Sequence, residues 1–196
     1  DDFLRLLYAR AADAYSFQTN KKMVQYTDAE IRAAIISSYE NKKIAILAPV
    51  VQARKGHYRE LFTSIFKQGF TRVRTDGIFV ELVPNFKLDR YKNHDIEIVI
   101  DRLKVNTSKT NSKRLSESIE TAMYHGNYML MIYDYETEKN RFFSRKLMCP
   151  SSGVSYAAPE PNTFSFNSPK GMCPSCSGIG VVHKVNYKKI IPDTSV

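Results

Sequence analysis

Nothing in this chain is apolar over the roughly 20 residues that a membrane span requires, and no leader-like segment opens it. Cysteine is scarce: three residues, an odd number clustered in the last third, exclude a disulfide framework and fit a reducing compartment, the cytoplasm. The phosphate-cradling pattern G-x-x-x-x-G-K-[ST] is absent, as are a nucleophile–base pair and a carboxylate dyad, so an independent enzyme is not expected. There is no internal repeat and no opening Met. The first residues, "DDFLRLLYAR", are already in an apolar repeat, which reads as a segment of a longer protein.

What is present suits a globular domain. The 196 residues are 43% hydrophobic and 25% charged, enough to bury a core. Lysine and arginine outnumber acids by 29 to 20, a net +9. Such a surplus suits a polyanion or an acidic protein surface, and equally a basic surface kept for solubility.

Residues 3–11 read as a helix end. "TDAE" at 27–30 is a capping box that opens a helix with Ile31, Ala34, Ile35 and Tyr39 on one face. "IAILAPVV" reads as a buried strand that leaves the sheet at Pro49. In "GHYRELFTSIFKQGF", Tyr58, Leu61, Phe62, Ile65 and Phe66 mark one helical face, with Gly69 placed to end it. "TRVRTDGIFVEL" predicts a hairpin turning at Asp76-Gly77, with Arg72 and Arg74 on one face and Val73 on the other. A strand follows at 95–105, in which Ile96, Ile98 and Ile100 alternate and Arg102 arrives where an apolar residue is due. "NTSKTNSK" reads as a loop before the helix "RLSESIETAMYHG", and two strands follow at 128–134 and 140–146. His57 and His94 read as exposed or capping residues. The order predicts an α+β fold: a mixed, mostly antiparallel sheet with helices packed on it, then a small, loop-rich, zinc-ribbon-like module.

The tail carries a half-complete metal signature. Cys173 and Cys176 form a C-x-x-C knuckle with Pro174 inside it and Gly178 and Gly180 after it; Cys149 precedes it at the right spacing, but Ser152 stands where the fourth thiolate is due. A serine hydroxyl is a poor zinc ligand because it stays protonated near neutrality. Zinc held by Cys149, Cys173, Cys176 and a substitute (His183 or water), a metal-free relic, and an introduced Cys→Ser change or free thiols all stay open.

In order, "DDFLRLLYAR", "LAPVVQARKG", "GFTRVRTDG", "HDIEIVIDRLKV", "RLSESIETAM" and "FSFNSPKGMCPSCSGIG" resemble the UvrA family along essentially the whole chain. That family is the damage-recognition ATPase of bacterial nucleotide excision repair, similar to a tandem ATP-binding cassette that works on DNA as a homodimer. The resemblance implies three parts: 1–19, a helix end of the flanking ATPase region; 20–146, the domain that docks the helicase subunit UvrB; and 147–196, a degenerate zinc-module segment. The ATP site lies in the parent, since this chain has neither Walker A nor cassette signature. The family's docking surface is charge-driven, and its two arginines match Arg72 and Arg102. Arg74, Asp101 and Lys55 are further candidates from their positions. A Cys-x-x-His pair that the family often carries after the first helix is missing from "AYSFQTNKK". The alternative function is a DNA-contacting module, resting on the net charge and on Lys170, Lys184, Lys188 and Lys189 around the knuckle.

Overall fold

The structure, a computed structural model, describes residues 2–106 and 108–182. It resolves two compact units: Ala14–Ala157, and Asp1–Asp13 with Ala158–Val196. Residues 147–157, expected with the cysteine-rich tail, are grouped with the larger unit.

In the larger unit the order is α2 (Asp28–Tyr39), β1 (Lys43–Lys55), α3 (Arg59–Lys67), β2 (Arg72–Thr75), β3 (Ile78–Glu81), β4 (Asn93–Lys104), α4 (Lys109–His125), β5 (Met129–Asp134) and β6 (Asn140–Ser144); α1 (Asp2–Ala11) and a single 3-10 turn, Pro161–Phe164, belong to the smaller unit. The six strands form one sheet in the order β3-β2-β4-β1-β5-β6, every paired neighbour antiparallel. The fold is α+β.

Helix α2 starts where its capping box does. Thr27 N–H donates to Glu30 Oε2 at 2.7 Å, and Glu30 N–H donates to Thr27 Oγ1 at 3.3 Å. Ile31, Ile35 and Tyr39 then recur on the buried face. Thr27→Ala is expected to cost about 1 kcal/mol in chemical denaturation; an unchanged midpoint would show that packing alone holds the helix start. The hairpin turns at Asp76 and Gly77, both in the left-handed region (φ 52° and 86°), as a tight two-residue turn demands.

The main core lies between one face of the sheet and α2, α3 and α4. It includes Ile31 and Ile35, Ile44 and Ile46, Phe62 and Ile65, Val73, Ile96 and Ile98, Leu115 and Ile119, Leu130 and Phe143.

Three local expectations need correction. β1 does not leave the sheet at Pro49: it runs on to Lys55, and the proline is absorbed at a register shift between Pro49 and Val51. α4 begins inside the presumed loop, because Ser108 caps it by accepting the Asn111 N–H at 3.3 Å. Phe66, assigned to the buried face of α3, is 50% exposed.

Candidate docking face and cysteine knuckles

Alternation along β2 buries Val73 in the main core and puts Arg72 and Arg74 on the other side of the sheet, as the sequence predicts. Arg102 reaches that side by another route. Leu47 faces Val99 but Ile46 faces Asp101, so Ile100 is an extra residue in β4. The bulge inverts the alternation beyond it. Ile96 and Ile98 lie in the main core, whereas Arg102 pairs with Ala45, a residue of the opposite face. Arg102 therefore does not continue the isoleucine row; it is exposed on the same face as Arg72 and Arg74. Arg72 lies one residue past the Val73–Ile98 pair, so the two arginines are on the order of 10 Å apart along β4.

This second face has its own smaller cluster: Ala45, Leu47, Val99 and Met131, with Phe79, Tyr133, Tyr135 and Phe142 packed on them. No residue of α2, α3 or α4 joins it among the described residues. Phe79 stands 5.2 Å from Tyr133 and 5.7 Å from Tyr135, ring centre to ring centre. Lys43 Nζ lies 5.5 Å over Tyr135, and Lys43 pairs with Lys104, two residues beyond Arg102. The result is an aromatic ridge bordered by cations, a surface that favours carboxylate-bearing partners.

Arg74 and Glu97 are turned inward on that face. The Arg74 guanidinium lies 5.1 Å over Tyr133 and 5.8 Å over Phe79, and only 9% of the residue is exposed. Its Nη1 is 3.6 Å from Glu97 Oε2, while Arg74 Nε and that same Oε2 have no hydrogen-bond partner. Burial pushes the Glu97 carboxyl up to about 7, against the pull of Arg74 and with Asp95 and Asp76 adding to the rise.

The remaining candidates fall elsewhere. Asp101 is on the core side, accepting from Arg114 Nε at 2.9 Å and Nη2 at 2.6 Å and from Ser118 Oγ at 2.9 Å, which ties β4 to α4. Its carboxyl is lowered: burial raises it, but the bonds from Arg114 and Ser118 outweigh burial. Lys55 ends β1, exposed and opposite Asn93.

His94 is a correction. It is 4% exposed, with Nδ1 2.6 Å from Asp76 Oδ2 and Nε2 2.7 Å from the Asp89 carbonyl, so it clamps the hairpin turn to β4. The bond to Asp76 raises its pKa. Sequence reasoning also missed the aromatic ridge, although Tyr133 and Tyr135 at two-residue spacing were its visible signal.

Cys149 is fully buried in the larger unit; Cys173 and Cys176 belong to the smaller one. Cys149 Sγ is hydrogen-bonded to Thr19 Oγ1 at 3.1 Å and to Ser151 Oγ at 3.3 Å. Its thiol is held down to about 5: burial raises it, and bonds with Ser151, Ser152 and Thr19 more than compensate. The 173–176 segment is a tight turn, with Ser177 N–H donating to the Cys173 carbonyl at 2.8 Å and Gly180 N–H to Cys176 Sγ at 3.3 Å. Among the described residues no group of three or more His, Cys, Asp or Glu side chains is placed to hold a metal ion. His183 lies outside the described residues. No helix among those residues is long and apolar enough to cross a membrane.

The family model described as "UvrA interaction domain" matches residues 26–136, which contain the second sheet face from Lys43 through Tyr135. The chain is 39% identical to UvrABC system protein A of Bacillus subtilis and 38% identical to that of Mycobacterium bovis, over 98% of this chain and 20% of each relative. The protein of that name from Thermus thermophilus is 36% identical over 100% of this chain and 21% of its own length. The chain thus spans about a fifth of the curated relatives it matches. It belongs to the UvrA family, whose interaction domain makes up the greater part of it.

Proposed function

We propose that this chain is the module through which a UvrA protein docks UvrB during nucleotide excision repair, with Arg72 and Arg102 as the principal contact cations. The observation that carries this reading is the bulge at Ile100, which brings Arg102 onto the face that already holds Arg72. A guanidinium can fork two hydrogen bonds to a carboxylate, so two of them on one face select an acidic partner surface. Arg74 serves by position, holding the Phe79–Tyr133 ridge in place. Lys43 and Lys104 add charge at the border and steer encounter. ATP turnover, DNA binding and dimer formation belong in this reading to the remaining four-fifths of the protein. Zinc is assigned in this reading to Cys173 and Cys176, where it would brace the smaller unit.

Calorimetric titration of the chain with UvrB from the same organism tests the proposal. One-to-one binding that the Arg72→Glu/Arg102→Glu chain has lost supports it. Equal binding by both, with both folded, removes these arginines from the interface. Absence of binding by either, alongside salt-sensitive binding to duplex DNA, would favour the DNA-contacting alternative.

A further inference from the structure

Two turns in the larger unit, far apart in sequence, share one hydrogen-bond pattern. In the first, Ser16 N–H donates to the Lys21 carbonyl and Asn20 N–H donates back to the Ser16 carbonyl, both at 2.8 Å. In the second, Cys149 N–H donates to the Val154 carbonyl at 2.9 Å and Gly153 N–H to the Cys149 carbonyl at 3.0 Å. The offsets, five residues forward and four back, are identical. The Cys173 knuckle repeats the four-residue bond from Ser177 N–H. Position 16 therefore corresponds to 149, and 19 to 152.

The two turns cap adjacent short hairpins. Tyr15 bridges Lys22, Met148 bridges Ser155, and Val24 and Met148 exchange both backbone bonds at 2.9 Å, joining one hairpin to the other. At the tips, Thr19 Oγ1 meets Cys149 Sγ at 3.1 Å and Ser151 Oγ lies 3.3 Å from that sulfur, while Ser152 Oγ accepts the Val154 N–H at 3.4 Å. The Ser16 side chain is 1% exposed, and its Oγ has no hydrogen-bond partner, a rare state for a buried hydroxyl. Gly153 closes the second knuckle at φ 70°, and a Cβ there would lie 2.9 Å from the Phe142 ring.

We infer that Ser16, Thr19, Cys149 and Ser152 are the four corners of a paired-knuckle metal site that this chain closes without metal, through hydroxyl–sulfur hydrogen bonds. Paired knuckles normally converge four thiolate or imidazole ligands on a zinc ion. Three hydroxyls cannot replace them, because a hydroxyl stays protonated near neutral pH while a zinc ligand must present a lone pair free of its proton. The orphaned Ser16 Oγ marks the corner that nothing has replaced. The hairpins are instead held by the main sheet: Tyr26 N–H donates to the Ser144 carbonyl at 2.9 Å, and Arg145 forks onto Asp28 with both bonds at 2.6 Å. The inference also separates Cys149 from Cys173 and Cys176, which the spacing alone had grouped.

Cobalt(II) titration read by thiolate-to-metal absorption tests this. In the 196-residue chain carrying Cys173→Ser and Cys176→Ser, which retains Cys149, no cobalt–thiolate band is expected, and the melting temperature should be the same in excess EDTA and in excess zinc. A one-to-one cobalt complex that Cys149→Ser abolishes would overturn the metal-free closure. Adding Ser16→Cys, Thr19→Cys and Ser152→Cys to that background should create one tetrahedral tetrathiolate cobalt site per chain, with a melting temperature that metal raises and EDTA lowers. A folded chain of this kind without the band would overturn the convergence of the four positions. If it fails to fold, Thr19→Cys alone decides: oxidised glutathione should close a 19–149 disulfide, with a loss of two hydrogens by mass. Two freely alkylated thiols after that treatment would count against the geometry.

Discussion

Charge reversal at Arg72 and Arg102 together is expected to weaken UvrB binding by roughly 1,000-fold or more, the largest effect of any surface change in this chain. Each arginine is placed as a hot spot is, at the edge of an apolar cluster that a partner can seal from water. Truncation of such an arginine typically costs about 2 kcal/mol or more, a factor of about 30 in affinity. Glutamate adds repulsion against the carboxylates that the arginines would have met, so the reversed pair should exceed the sum of two truncations. The two sites share one face about 10 Å apart, so their effects should couple weakly and multiply when each is truncated singly. Lys113→Ala is the matched control. Lys113 is an exposed cation on α4, 3.9 Å from Glu117 in a surface pair, and α4 packs against the opposite side of the sheet. Titrations of the four variants should leave Lys113→Ala within twofold of the parent chain. A loss at Lys113 equal to that at Arg72 would mean that net charge is being read, and the face would lose its special status.

How much of this surface was legible in advance depends on what each residue answers to. The Thr27–Glu30 box and the Asp76-Gly77 turn are local, and both stand where short-range pattern put them. Arg72 and Arg74 sharing a face followed from strand alternation. The face of Arg102 could not be read that way, because a bulge is a property of two strands and their register: Ile100 is extra only relative to Ile46 and Leu47. The same holds for His94, whose burial depends on a carbonyl at Asp89 and a carboxylate at Asp76. At 16–19 the sequence shows only a missing ligand pair in "AYSFQTNKK", since the side chains are a serine and a threonine; the backbone bonds show that the turn itself is kept. By contrast, the helical face of α2 was readable because burial there follows a fixed period.

Glu97→Gln is expected to remove the loss of stability that the Glu97 carboxyl brings between about pH 4.5 and 7. Burial raises the Glu97 carboxyl from its ordinary 4.5 to about 7, so across that window the folded chain holds a proton that the unfolded chain has released. Stability from this group is therefore full below pH 4.5, declines as pH rises, and is lost above about 7. The span corresponds to roughly 3 kcal/mol, an upper figure because the Arg74 charge is close by. Glutamine mimics the protonated carboxyl, so variant and parent should agree within about 1 kcal/mol at pH 5. At pH 8 the variant should be the more stable by roughly 2 kcal/mol. Other groups keep a slope in both chains: Cys149, held down to about 5, and His125, lowered by burial, add stability as pH rises, whereas His94 works the other way. Its raised pKa adds stability that is fully present below 6.5 and lost as pH climbs through the higher folded value. The lowered carboxyl of Asp76 acts below 3.8 and stays out of the window; burial raises it, but the bonds from His94 and the Asp95 N–H outweigh that rise. Urea denaturation of both chains at pH 5, 6.5 and 8 isolates the Glu97 contribution as the difference between their slopes. An unchanged slope in Glu97→Gln would show that Arg74 keeps the carboxylate ionised throughout. The contact at 3.6 Å, with Arg74 Nε and Glu97 Oε2 left without hydrogen bonds, argues against so strong a hold.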